Sequence, residues 1–326
     1  MLFVFYGIMV LCVIFFSVKC AYYLDLIEAK TNLSGVFLSG VILAGITSLP
    51  ELVTSISAIS FFNSPELVFG NILGSNIFNL SILASLIIVF FKEFLTNKVK
   101  LDHKKTLYLI IVIYSLVFVK MQFEINFTIM NIDVISILIF LLYIISLKFI
   151  SVNDDDDEDD SLAQSTEDVK SLLIKFIFFS MGLVISSVII TFLTDEIAKV
   201  TNMGETLAGA LLLGVVTSIP ELATSITLCK LGNFNGVFGN IIGSNIFNYI
   251  IISIGDVLYN SGSIYVVNNQ SYKLVVFGFV ATVLTLIILK SKVKDENQTD
   301  VSLTSKVTYI LSALFILASY GLFIFL

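Results

Sequence analysis

Two carboxylates in this chain sit where a carboxylate is costly. Glu51 lies in GITSLPELVTS (45–55) and Glu221 in VVTSIPELATS (215–225), each directly after a proline and among apolar or small residues. Pro50 and Pro220 each lack a backbone donor and clash with the carbonyl four residues back, on Ile46 and Val216. The helices carrying them are therefore predicted to kink or unwind near Thr47 and Thr217. A carbonyl freed inside a membrane needs a partner, and a cation is a good one. Downstream, GNILGSNIFN (70–79) and GNIIGSNIFN (239–248) place Ser75 and Asn79, and Ser244 and Asn248, four residues apart, on one helix face. Collected, the groups are two carboxylates, the hydroxyls of Ser48, Ser218, Ser75 and Ser244, the amides of Asn79 and Asn248, and the carbonyls of the opened turns. Hard oxygen shells of this kind suit alkali and alkaline-earth cations rather than soft metals. Two carboxylates carry a charge that one Ca²⁺ or two Na⁺ would balance. That equality lets the two ions compete for one site, which is the condition for exchange.

The motifs come twice. Thr47, Pro50 and Glu51 recur as Thr217, Pro220 and Glu221, 170 positions later, and Asn71, Ser75 and Asn79 recur as Asn240, Ser244 and Asn248, 169 positions later. This is internal duplication. The chain that carries it is 57% hydrophobic and 13% charged over 326 residues, with mean hydropathy +1.00. Soluble domains are nearer a quarter charged, so the composition is that of an integral membrane protein. Segments of roughly the 20 apolar residues needed to cross hydrocarbon fall near 2–23, 35–60, 66–91, 106–121, 130–150, 172–194, 204–229, 236–259, 273–290 and 304–326. The fourth is the shortest. The motif copies lie five spans apart, so the second runs through the membrane in the opposite direction. The expected fold is all-α, with ten transmembrane helices as two inverted-topology five-helix repeats and broken helices at a midplane ion site. The halves are 1–150 and 171–326, joined by a linker at 151–170.

Every basic residue is lysine, and all but Lys120, Lys199 and Lys273 fall on the side reached after odd-numbered spans. The positive-inside rule puts that side in the cytoplasm. Both termini are then extracytoplasmic, and the acidic run DDDDEDD (154–160) is part of a cytoplasmic spacer. The apolar N-terminus lacks a basic flank and reads as a retained span rather than a signal. Cys12, Cys20 and Cys229 form no CxxC pair and read as packing residues. His103, the only histidine, lies in a Lys-rich loop, so no transition-metal site is expected.

A charged side chain at mid-bilayer costs about 2.5–3.5 kcal/mol on insertion scales. Here that cost is borne twice at matched positions, and no lysine lies within either motif. Glycines 70, 74, 239 and 243 would let the helices approach closely enough to close a cage around an ion.

At these residues the sequence resembles the calcium/cation antiporter superfamily, in its prokaryotic sodium/calcium exchanger-like branch. The blocks at 38–83 and 208–252 are similar to that family's α-repeats. The resemblance implies exchange of Ca²⁺ for Na⁺ by alternating access in the plasma membrane, with four central cation sites. By motif position it implies that Glu51 and Glu221 bind Ca²⁺ with the carbonyls of Thr47 and Thr217. Ser48, Ser244 and the Ala44 carbonyl would serve one Na⁺ site. Ser218, Ser75 and the Gly214 carbonyl would serve another, and Asn79 and Asn248 would line the middle. Two departures are visible. Ile46 and Val216 stand where the family has glycine before its Thr-Ser pair, and some relatives carry Asp where Asn248 stands. Neither GN string holds the acid found in the proton/calcium branch.

The competing classes are antiport coupled to H⁺ or dependent on K⁺, a cation channel lined by the broken helices, and an intramembrane enzyme. An enzyme is not expected, because no histidine lies in a span and the serines have no base but glutamate. The expected partners are Ca²⁺, Na⁺ and the lipid bilayer, with no cofactor, no nucleic acid and no obligate protein partner.

Overall fold

A computed structural model describes residues 1–31, 47–97, 99, 102–150, 168–291 and 303–325. Ala44 and the first part of the second expected span lie outside the described residues, as do residues 151–167 of the acidic linker. The elements are α1 (Leu2–Thr31), α2 (Leu49–Phe62), α3 (Pro65–Val89), α4 (Phe91–Thr96), α5 (His103–Phe123) and a short hairpin, β1 (Thr128–Ile129) with β2 (Ile132–Asp133). There follow α6 (Val134–Ile150), α7 (Val169–Thr201), α8 (Glu205–Ala208), a π-helical turn (Gly209–Leu213), α9 (Gly214–Thr217) and α10 (Ile219–Lys230). The chain ends in α11 (Phe234–Leu258), α12 (Asn269–Ser291) and α13 (Leu303–Phe325).

Eight stretches of the described residues are long and apolar enough to cross a membrane, the broken run Glu205–Lys230 among them. Two further apolar helices, α2 and α6, are shorter. The fourth expected span is longer than its apolar core suggested: α5 runs for 21 residues and begins at His103. His103 is thus a helix residue and not a loop residue. It stacks on Phe238 and meets Asn235 at 3.0 Å. The fifth expected span begins at 134 rather than 130. Met130 and Asn131 have φ of 52° and 67°, the left-handed pair of a tight hairpin turn, so the chain reverses before α6 starts. Asp133 then holds the Ile135 N–H at 2.9 Å and pairs with the buried Lys120 of α5.

Helices α3 and α11 form the centre. In each, 78% of the apolar window is buried inside the protein, against 11% for α1. They carry the two GSNIFN strings and pack on one another. α1 and α7 pair along their length and close two small apolar clusters beside the main core, one of them shared with Leu213 and Val216 of the broken run. Local chemistry fixes where the central helices begin. Ser64 accepts the Leu67 N–H at 3.2 Å with Pro65 in the first turn, and Asn233 accepts the Gly236 N–H at 2.7 Å. Both are N-caps of the usual kind.

The crossing of α3 with the broken run is a contact of backbones. A Cβ on Gly70 would lie 2.1 Å from the Thr206 carbonyl oxygen, and one on Gly74 would lie 2.5 Å from Ala210 Cα. No side chain fits at either position, so glycine here sets the depth of the helix packing.

Candidate functional site

The prolines act where expected. The helical path breaks at Ser48 (φ −90°, ψ 12°) and Ser218 (φ −88°, ψ 4°), and α2 and α10 each start in the next residue with proline in the first turn. The carboxylate that follows is carried on the first turn of the new helix. Glu51 and Glu221 are both fully buried.

Their partners come from the other motif copy. Ser218 Oγ donates to Glu51 Oε1 at 3.4 Å, and Ser48 Oγ donates to Glu221 Oε1 at 3.4 Å. The hydroxyls of Thr47 and Ser244 meet at 3.2 Å, and those of Thr217 and Ser75 at 3.3 Å. Ser75 Oγ also reaches the Gly214 carbonyl at 3.2 Å. Two groups result: Thr47, Ser48 and Ser244 around Glu221, and Thr217, Ser218, Ser75 and Gly214 around Glu51. These are residues singled out in the sequence, Ala44 apart, which lies outside the described residues. Ser48 falls in one group with Ser244, and Ser75 meets Gly214, as grouped there, whereas the assignment of each serine to the glutamate of the other copy is new.

Asn79 and Asn248 lie on the two central helices and are fully buried. Asn79 Nδ2 donates to Asn245 Oδ1 at 3.0 Å, and Asn248 Nδ2 donates to Asn76 Oδ1 at 2.9 Å. Each amide spends its N–H on the opposite copy, and its oxygen is left over. Glu51 Oε2, Glu221 Oε2, Asn79 Oδ1 and Asn248 Oδ1 are all buried without a hydrogen bond. Buried polar atoms are nearly always paired. Four unpaired oxygens, two of them on carboxylates, are an acceptor set with no donor. Among the described ion pairs, no basic side chain reaches either glutamate. Oxygen acceptors of this kind suit a hard cation.

Sequence reasoning passed over two layers of support. Asn71 Nδ2 donates to Thr54 and Ser55 at 3.0 and 3.1 Å, and Asn240 Nδ2 donates to Ser225 and to the Glu221 carbonyl at 3.0 and 3.2 Å. These bonds tie each GN string to the second Thr-Ser of its own copy, next to the glutamate. Asn76 and Asn245 form the other layer. Both layers are written in the duplicated strings, and the signal was the recurrence itself.

A match to the family described as sodium/calcium exchanger protein spans residues 1–152 and 171–326. The chain belongs to that family. It is a transporter family rather than an enzyme family, and membership makes the chain a multi-pass membrane antiporter of Ca²⁺ and other cations. Among curated relatives, the uncharacterized membrane protein MJ0091 of Methanocaldococcus jannaschii is 26% identical over 66% of this chain and 68% of its own length. The inner membrane protein YrbG of Escherichia coli is 29% identical over 63% of this chain and 64% of its own length. The fold is similar to that of the H⁺/Ca²⁺ exchanger CAX, with TM-score 0.69 and 12% identity over 97% of this chain and 87% of that one. It is also similar to the sodium-calcium exchanger NCX_Mj, with TM-score 0.54 and 19% identity over 97% and 98% of the two chains. At these identities the likeness to the exchanger structures is one of fold.

Proposed function

We propose that this member of the exchanger family moves Ca²⁺ out of the cell in exchange for Na⁺, through the plasma membrane, by alternating access. The observation that carries the reading is the set of four unpaired buried oxygens on Glu51, Glu221, Asn79 and Asn248. Two carboxylates balance one Ca²⁺ or two Na⁺. In this reading Glu51 and Glu221 bind Ca²⁺ with the carbonyls of Thr47 and Thr217. The two serine groups serve Na⁺ on either side, with the carbonyls of Ala44 and Gly214, and Asn79 and Asn248 line the middle.

The architecture proposed is ten spans in two inverted halves, 1–150 and 171–326, with residues 151–170 as a cytoplasmic linker and both termini outside. In support, the family match falls into two blocks separated near that linker. In further support, three cross-copy bonds at the site come as pairs with the roles of the copies reversed: serine to glutamate, threonine with serine, and asparagine to asparagine.

One observation favours a second reading. The likeness in fold is greater to an H⁺/Ca²⁺ exchanger than to a sodium-calcium exchanger, so H⁺ coupling is the alternative. The test is ⁴⁵Ca²⁺ uptake into proteoliposomes under imposed Na⁺, K⁺ or pH gradients. Uptake that needs an outward Na⁺ gradient supports the proposal. Uptake driven by a pH gradient alone replaces Na⁺ with H⁺, and flux needing no counter-ion gradient points to a channel.

A further inference from the structure

The four amides of the GSNIFN strings do not end on equal terms. Asn245 is fully used: its Oδ1 accepts from Asn79 and its Nδ2 donates to the Asn76 carbonyl at 3.0 Å. Asn76 gives its Oδ1 to Asn248, but its Nδ2 has no hydrogen bond. That side chain faces the hydroxyls of Tyr114, on α5, and Tyr249, on α11. Neither hydroxyl makes a hydrogen bond, and both tyrosines are buried. The two rings pack edge to face, with centroids 5.4 Å apart. Three polar atoms from three helices thus converge in apolar surroundings with only one another to bond.

Two further features mark the convergence as built. The residue matching Tyr249 in the first copy is Leu80, so the phenol has no counterpart there. On α12, a Cβ at Gly278 would lie 2.1 Å from the Tyr114 hydroxyl oxygen. The glycine keeps the space that the hydroxyl fills.

We propose that Tyr114 and Tyr249 are positioning residues of the cation site, acting through Asn76. An amide is polar from end to end. With its N–H groups toward the phenols, Asn76 turns its oxygen to Asn248 Nδ2, and Asn248 Oδ1 is left for the ion. If Asn76 turned over, two amino groups would face each other. Asn248 would have to turn as well and present N–H to a cation. Asn79 needs no such support, because its partner Asn245 is anchored on a backbone carbonyl. The tyrosine pair therefore belongs to one of the two amide ligands and makes a duplicated site unequal. The inference rests on the reading of these oxygens as cation ligands.

The test uses the full-length protein with Tyr114→Phe, Tyr249→Phe and both together. Loss of a neutral polar contact to Asn76, taken as equivalent to one hydrogen bond of about 1 kcal/mol, predicts a rise of about fivefold in the Ca²⁺ concentration for half-maximal exchange. The maximal rate should stay within about twofold, the pattern of a lost binding term. Gly278→Ala displaces the Tyr114 hydroxyl without removing a polar group and should act in the same direction. A second readout is spectroscopic. The chain has no tryptophan, so the long-wavelength part of the near-ultraviolet difference spectrum on adding CaCl₂ or NaCl, beyond the phenylalanine bands, reports tyrosine. It should be present in wild type and in Tyr22→Phe, whose ring is exposed, and lost in the double variant. An unchanged half-saturation, a collapse of the maximal rate alone, or a difference spectrum that is absent from wild type or survives in the double variant overturns the proposal. If folded wild type moves no Ca²⁺, the functional reading fails separately, and the NaCl-induced spectrum still decides the role of the tyrosines.

Discussion

Ser48 donates its hydroxyl to Glu221, 173 positions away, and not to Glu51, three residues on in the helix that starts beside it. Ser218 does the same in reverse with Glu51. Each carboxylate is thus positioned by the helix break of the other motif copy.

Replacing either carboxylate with its amide should therefore stop exchange. Glu51→Gln and Glu221→Gln keep size and remove one of the two charges that, in the proposed reading, balance the ion. Losing one buried charge against its partner costs about 2–5 kcal/mol, so Ca²⁺ transport should fall by roughly a hundredfold at subsaturating Ca²⁺. Proteoliposome flux with each single variant checks this, and near-normal transport in both would sink the site assignment.

The helix crossing gives a prediction about stability. Gly74→Ala puts a methyl group 2.5 Å from Ala210 Cα, in the backbone of the facing helix. Overpacking of this kind costs about 1–3 kcal/mol, and the shift moves the residues next to Ser75. The variant should melt lower in detergent and exchange more slowly. Gly7→Ala, also in a helix but with nothing near its Cβ, should melt at or above the wild-type temperature. Equal melting temperatures for the two variants would contradict the packing argument.

Away from the site, Lys120 and Asp133 are a buried ion pair that joins α5 to the hairpin. Breaking such a pair from one side costs about 3–5 kcal/mol, whereas removing both charges costs much less. Lys120→Met should destabilise the protein strongly. Lys120→Met with Asp133→Asn should recover part of the loss, since Asn can still hold the Ile135 N–H. Thermal denaturation of the two variants measures the difference, and equal losses would show that the pair is not coupled.

The acidic linker should be dispensable for transport itself. Deleting 154–160 leaves both motif copies and every proposed ligand in place. Exchange at saturating ions is expected to stay within about twofold of wild type. A correctly folded but inactive deletion variant would assign the segment a transport role.

The site was legible in the sequence to an unusual degree because it is written twice. Recurrence of Thr47, Ser48, Glu51, Ser75 and Asn79 as Thr217, Ser218, Glu221, Ser244 and Asn248 named the residues, and the prolines located the breaks to within a residue. Which hydroxyl serves which carboxylate was not legible. Spacing along one helix favours Ser48 with Glu51, and only the packing of the two copies sends each serine across. Asn76 was passed over because its use depends on Tyr114 and Tyr249, which share no motif with it. Lys120 was read as a flanking charge. Nothing near it in the chain foretells that a hairpin would fold Asp133 back over it. The hairpin itself hid in an apolar stretch, where Met130 and Asn131 carry the turn and no glycine or proline marks it.

The reciprocal placement of Ser48 and Ser218 also bears on inheritance. A change at one serine alters the surroundings of a glutamate encoded on the far side of the linker, so neither motif copy is free to drift alone. Their joint arrangement is what selection can act on. A tandem chain delivers the two in equal number and already within reach. Two separately made polypeptides would have to find each other by diffusion in the plane of the bilayer before either glutamate met its serine.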